Sequence, residues 1–295
     1  MNGNSCLSCG GIISVKNREE RVRFWSRALA RPAVYPRMYR LMERLALCSH
    51  CLEEWPVIGD RICCGCGKDL DRDVARLFRK ERGGPQLYEA VGAGGQTNAK
   101  TNLPPGTDSL CQDCKVLREK ETVPSVLLSN RGLLHYEKQG KAMLSRFKYR
   151  GDERLAAFFA TLLAIGYYRS YADRSFWCLS EVPLHQSRLT ERGFNQMELV
   201  AKELSGIIGV PYVPLLVRAK ETTKLSQQRG RKERENSMSG AFSLIHPGSR
   251  SGRDTCAILL IDDIYTTGST LRACAASIRE GLGTGHHVYG LTCYR

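Results

Sequence analysis

From about Val126 onward the apolar positions switch between two periods, one of strands and one of helices. Ser125 to Tyr136 reads as a strand or a hairpin around Arg131-Gly132, and Gln139 to Tyr149 and Glu153 to Tyr171 read as helices. Phe176 to Val182 is a short strand ended by Pro183. Asn195 to Ile208 predicts a helix, and Tyr212 to Val217 a strand. Ala257 to Ile261 is an uninterrupted apolar run of the kind buried inside a parallel sheet. Thr270 to Glu280 then predicts a helix, and His287 to Cys293 a last strand. Alternating strands and helices predict an α/β fold with helices covering a parallel sheet.

Upstream the pattern changes. Residues 1–120 are rich in paired cysteines and poorly periodic. Arg18 to Leu47 carries a partial helical stripe of Phe24, Leu29, Met38, Leu41, Met42 and Leu45, broken at Pro32 and Pro36. A helix packed on its own module is the expected outcome there, against one lying on a membrane or on nucleic acid. Gly83 to Ser109 is rich in Gly, Pro, Asn and Thr and reads as a flexible insertion. The chain therefore divides into an N-terminal module, 1–123, with insertions at 18–47 and 83–109, and an α/β domain, 124–295.

Charge sharpens this picture. The net charge is +14, with Lys+Arg against Asp+Glu standing at 20 to 15 in residues 1–123 and 24 to 15 in 124–295. The excess favours polyanionic partners, whether nucleic acid or a small polyphosphate. No apolar run approaches the ~18 residues of a membrane span. The start MNGNSCLSCG lacks a basic head and an apolar stretch, so the expected compartment is the cytosol.

Of thirteen cysteines, nine precede residue 115. Eight of these form four C-x2-C knuckles: Cys6/Cys9, Cys48/Cys51, Cys63/Cys66 and Cys111/Cys114. Two thiolates on one turn, joined by a second such pair, complete a tetrahedral Zn2+ site with no open position, hence a structural one. Sequential pairing gives two sites. A rival is one site built from Cys48, Cys51, Cys63 and Cys66, because only 11 residues separate Cys51 from Cys63 while 38 and 44 fill the other gaps. Cys64 is a possible substitute ligand, and His50 reads as a surface residue. Cys178, Cys256, Cys274 and Cys293, scattered among apolar residues, read as small buried hydrophobes.

The sharpest signal is Ile258-Leu259-Leu260-Ile261-Asp262-Asp263-Ile264-Tyr265-Thr266-Thr267-Gly268-Ser269-Thr270. An apolar strand ends in two carboxylates, and a small hydroxyl-rich loop leads into a helix. Backbone N–H groups, hydroxyls and the helix N-terminus suit a phosphate there. The carboxylates suit sugar hydroxyls and a developing oxocarbenium charge. The whole segment resembles the signature of the type I phosphoribosyltransferases. That resemblance implies a Rossmann-like parallel sheet binding 5-phosphoribosyl 1-pyrophosphate (PRPP) through Asp262, Asp263, Thr266, Thr267, Gly268, Ser269 and Thr270, with Asp262 and Asp263 as the catalytic pair.

Further segments widen the resemblance. Phe147-Lys148-Tyr149-Arg150-Gly151-Asp152, then Val182-Pro183-Leu184-His185 with Arg188, Arg192-Gly193-Phe194-Asn195-Gln196, and Gly240-Ala241-Phe242 are similar to motifs of the ComF family of competence-associated proteins. Members join a double zinc ribbon to a phosphoribosyltransferase domain. The resemblance implies that His185, Arg188 and Arg192 lie near the pyrophosphate of PRPP with Mg2+, while Asn195 caps a helix. A plainer role for Arg192 and Asn195 is to brace that helix. Seven basic residues (Arg218, Lys220, Lys224, Arg229, Arg231, Lys232 and Arg234) fall where the fold carries a mobile hood. Arg229, Arg231, Lys232 and Arg234 are the candidate contacts to single-stranded DNA. Ser237 stands where relatives often carry Asn. The expected function is PRPP binding within DNA uptake during natural transformation, beside competence machinery such as a helicase. The alternatives are an active phosphoribosyltransferase on an unidentified acceptor, or a PRPP sensor without turnover.

Overall fold

The computed structural model describes residues 5–71, 110–120, 126–220, 240–245 and 256–295. A four-stranded parallel sheet lies at its centre, in the order β1 (Leu127–Leu134), β6 (His287–Tyr294), β5 (Ala257–Ile264) and β2 (Cys178–Glu181). Each strand is almost wholly buried, which is why β5 and β6 read as continuous apolar runs. β5 extends past Ile261 and includes Asp262 and Asp263, paired in register with β6. The hairpin considered around Arg131-Gly132 does not form: both residues lie in line within β1.

Helices cover both faces. One face is packed by α5 (Lys138–Tyr149), α6 (Arg154–Ser170) and α8 (Gln196–Ile208). α6 is apolar nearly all round and is buried accordingly. The other face is packed by α9 (Ser269–Leu282) and by the antiparallel pair β3 (Leu216–Arg218) and β4 (Phe242–Leu244). Between β2 and α8 the chain forms a further short helix, α7 (Gln186–Arg192). Asn195 caps α8 as expected, its Oδ1 accepting from the Met197 amide at 3.2 Å.

The N-terminal stripe folds as α1 (Val15–Leu29) and α2 (Tyr35–Arg44), separated by a single 3-10 turn at Pro32–Val34. Pro36 sits in the first turn of α2, where its missing N–H costs nothing. Leu29, Met38, Leu41, Met42 and Leu45 are buried in the same apolar cluster as α6. Phe24 is 46% exposed, and its expected place in the core is taken by Val22 and Trp25, the latter edge-on to Trp55. α3 (Ser49–Glu53) and α4 (Gln112–Lys120) each carry one cysteine of a knuckle within their first turns. Among the described residues no helix is long and apolar enough to cross a membrane. Residues 83–109 lie outside the described residues.

Candidate functional site

The eight knuckle cysteines gather in two groups. Cys6, Cys9, Cys48 and Cys51 form one, and Cys63, Cys66, Cys111 and Cys114 the other, with all four sulfurs of each group within 4.8 Å of one another. Sequential pairing is therefore the one realised, and the single site across Cys48 to Cys66 is excluded. A tetrahedral zinc with ~2.3 Å bonds separates its sulfurs by about 3.8 Å. The Sγ atoms of Cys9 and Cys48 are 3.7 Å apart, and those of Cys66 and Cys111 are 3.6 Å apart. Both groups thus fit structural zinc.

Local geometry serves each group. Gly10 and Gly67 take left-handed φ of 77° and 69°, and their amides close the knuckle turns onto Cys6 O and Cys63 O. Burial raises the Cys6 thiol, but N–H groups of Cys9, Cys48 and Ser8 outweigh it and leave it at about 7. Thiols of Cys114 and Cys66 bond to the Cys63 sulfur and hold it well below the ordinary thiol range. Cys64 stands outside both groups, and His50 is exposed beside Glu54.

The groups lie on opposite faces of the sheet. Cys6, Cys48 and Cys51 share the cluster of α5, α6 and α8, while Cys63, Cys66, Cys111 and Cys114 share that of α9 and Tyr265. The second group docks directly on β1. The Asn130 amide donates to Gly65 O at 2.7 Å, and the Arg131 guanidinium donates to Cys64 O at 3.1 Å. Asp69, just past the knuckle, bonds His135 at 3.1 Å.

At the carboxyl end of β5, Asp262 and Asp263 stand where ligands bind in open α/β sheets. Asp263 is buried and ion-pairs with Lys148 at the end of α5. Burial and the adjacent Asp263 charge push Asp262 up to about 7, against the opposing charges of Lys148 and Arg218. Burial disfavours the Lys148 ammonium, but Asp263 more than compensates and raises it above its ordinary value. Lys148 and Arg218 therefore belong to this site. Lys148 stood in a quoted motif, and Arg218 was counted only as one of a basic run. Glu181, which ends β2, is a third buried carboxyl, raised by burial.

The loop after the carboxylates turns sharply. Gly268 has φ 77° and is the N-cap of α9. Thr267 Oγ1 and Ser269 Oγ are 3.0 Å apart, and Arg272 of α9 donates to Thr267 O at 2.9 Å. Thr266 is exposed, Ser269 is buried, and Thr267 and Thr270 are half-buried. The loop hydroxyls and the N-terminus of α9 follow directly on the twin carboxylates along the chain. Chemically, that arrangement can accept from vicinal hydroxyls and hold a phosphate group.

The other candidates sit nearby in different roles. His185 caps α7, its Nδ1 accepting from the Ser187 amide at 3.2 Å, and its backbone bridges to Arg218. Arg188 pairs with Glu191. Arg192 donates to Gln196 at 3.2 Å and lies 5.4 Å from the centre of the Tyr149 ring, bracing α8. Its buried Nε has no partner among the described residues. Arg229, Arg231, Lys232 and Arg234 fall outside the described residues.

These features define an α/β protein with a parallel sheet, two four-thiolate groups on its faces and an acidic strand end running into a hydroxyl-rich loop. No family model matches the chain. It is 32% identical to Competence protein ComFC of Bacillus subtilis over 177 residues, 60% of this chain and 69% of that relative. It is 30% identical to Competence protein ComFC of Streptococcus pneumoniae over 186 residues, 63% of this chain and 76% of the relative. Competence protein F of Haemophilus influenzae is 27% identical over 149 residues, 50% of this chain and 64% of the relative. The chain belongs to the ComFC family.

Proposed function

We propose that the protein acts in competence-linked DNA uptake and binds PRPP at the Asp262–Thr270 segment. The carrying observation is the twin carboxylate at the end of β5 followed by the hydroxyl-lined N-terminus of α9. Asp262 and Asp263 would accept from the ribose hydroxyls. Thr266, Thr267, Ser269 and Thr270, with the loop amides, would hold the 5-phosphate. Arg188, Arg192 and His185 would meet the pyrophosphate, together with Mg2+. Each thiolate group would hold one structural Zn2+. The competence names of the relatives support the cellular role, and the basic segment 229–234 is the proposed contact to single-stranded DNA. An acidic pair retained intact is also what a working phosphoribosyltransferase requires, so pyrophosphate release from PRPP is a second reading.

The test is genetic. In the organism that encodes it, loss of the gene should abolish transformation, and the wild-type chain should restore it. Asp262→Asn/Asp263→Asn, expressed at the same level, should fail to do so. Full restoration by that variant would remove the site from the function.

A further inference from the structure

One side chain joins the second thiolate group to the loop after β5. Arg295 donates from Nη2 to Cys66 Sγ at 3.2 Å, from Nε to Cys66 O at 3.0 Å and from Nη1 to Thr266 O at 3.4 Å. Its guanidinium also lies 5.0 Å from the centre of the Tyr265 ring. That ring is buried in one apolar cluster with Cys63, Cys66, Cys111 and Cys114. It reaches directly beneath Gly268: a Cβ built on Gly268 would meet Tyr265 Oη at 2.1 Å. The backbone fixes both ends of the route. Tyr265 N donates to Tyr294 O at 2.9 Å, and Arg295 N donates to Leu134 O at 2.8 Å. The first thiolate group, packed against the other sheet face, shares none of these contacts.

We propose that Arg295 is a positioning residue that couples the second thiolate group to the Thr266–Ser269 loop, so that metal held there sets the loop's shape and its grip on a phosphorylated sugar. The ligand half of this rests on the PRPP reading above; the coupling itself does not. A zinc-bound thiolate accepts hydrogen bonds, and such an outer partner orients the ligand and is oriented by it. When Cys66 is fixed by metal, Arg295 is fixed, and with it the Thr266 carbonyl and the Tyr265 ring under Gly268. When Cys66 is released, the guanidinium loses its fixed anchor and the loop loses two of its supports. Coupling of this kind changes affinity by roughly 5- to 150-fold and is reciprocal.

The experiment uses the full metal-loaded chain with three readouts: metal content, hydrogen exchange of the peptide spanning residues 264–271, and PRPP affinity. Arg295→Gln should keep its metal, speed loop exchange about tenfold and weaken PRPP by a similar factor. Arg295→Lys should recover part of both, since a cation remains beside Cys66 and Tyr265. Tyr265→Leu breaks the route without touching a thiolate, and should also loosen the loop with metal retained. Cys9→Ser, in the first group, should leave loop exchange unchanged. Native loop exchange in metal-retaining Arg295→Gln and Tyr265→Leu would overturn the coupling, as would equal loosening by Cys9→Ser. If the wild type binds no PRPP yet its loop answers to Arg295→Gln, the coupling stands and the ligand reading falls.

Discussion

Lys148 decides how the carboxylate pair behaves. Two adjacent carboxylates in a partly buried strand end repel one another, and the ammonium on Asp263 relieves that repulsion. Asp262 is nevertheless raised from an ordinary 3.8 to about 7 by burial and by Asp263. The folded chain then holds a proton that the unfolded chain has lost, so this group's contribution to stability falls as pH rises from about 4 to about 7. Ligand binding runs the other way. Sugar hydroxyls bond best to ionised carboxylates, so affinity for a phosphoribosyl ligand should strengthen between pH 6 and pH 8. Lys148→Met removes the charge that favours ionisation and should move that rise to higher pH. Affinity measured across pH in both proteins checks this, and a flat profile in the wild type would speak against it. The motif around Lys148 was legible in the sequence, but its contact with Asp263 was not. The two residues are far apart in the chain, and only the packing of α5 against the sheet brings them together.

Among the elements, β5 and α9 were read closely because several local signals agreed: an unbroken apolar run, a glycine, then an amphipathic helix. Their junction depends on Gly268. Any other residue there meets a left-handed φ of 77° and the Tyr265 ring at once. Gly268→Ala should cost about 1–2 kcal/mol from the backbone alone, and more as the ring is displaced. Thermal unfolding would record a lower midpoint, and phosphate-ligand binding should be lost with it. α7 was not among the elements read from the sequence. Its signals are local but weak: His185 caps it with a ring nitrogen rather than a hydroxyl or carboxylate, and Gly193 ends it after two turns. β1 was ambiguous because Arg131-Gly132 reads as a turn. In place, the arginine donates to Cys64 O of the docked knuckle and to the neighbouring Asn130 O, and Gly132 lies against Arg295 and Ile58. A docking surface supplied from elsewhere in the chain leaves no periodic trace in the strand itself.

At the scale of the molecule, the zinc-type groups are not appendages. One shares its apolar cluster with α6 and the other with α9, so the N-terminal module grips both sheet faces. The knuckle spacing revealed the ligands. It did not reveal the pairing across gaps of 38 and 44 residues, nor the two-faced placement. Because metal binding to such groups is folding free energy, chelation should destabilise the whole chain rather than a detached lobe. A loss of a few kcal/mol corresponds to a midpoint lower by roughly 10 °C for a protein of this size. Metal release without any shift in the sheet's unfolding would contradict that integration. The central claim, that the acidic strand end and its loop receive a phosphorylated ribose, is tested most directly by titration calorimetry of PRPP in the presence of magnesium. The account predicts one saturable site per chain in the native protein and affinity about 100-fold lower in Asp262→Asn/Asp263→Asn, the scale of two lost hydrogen bonds to charged groups. No heat in the native protein, or equal binding by the variant, would contradict it.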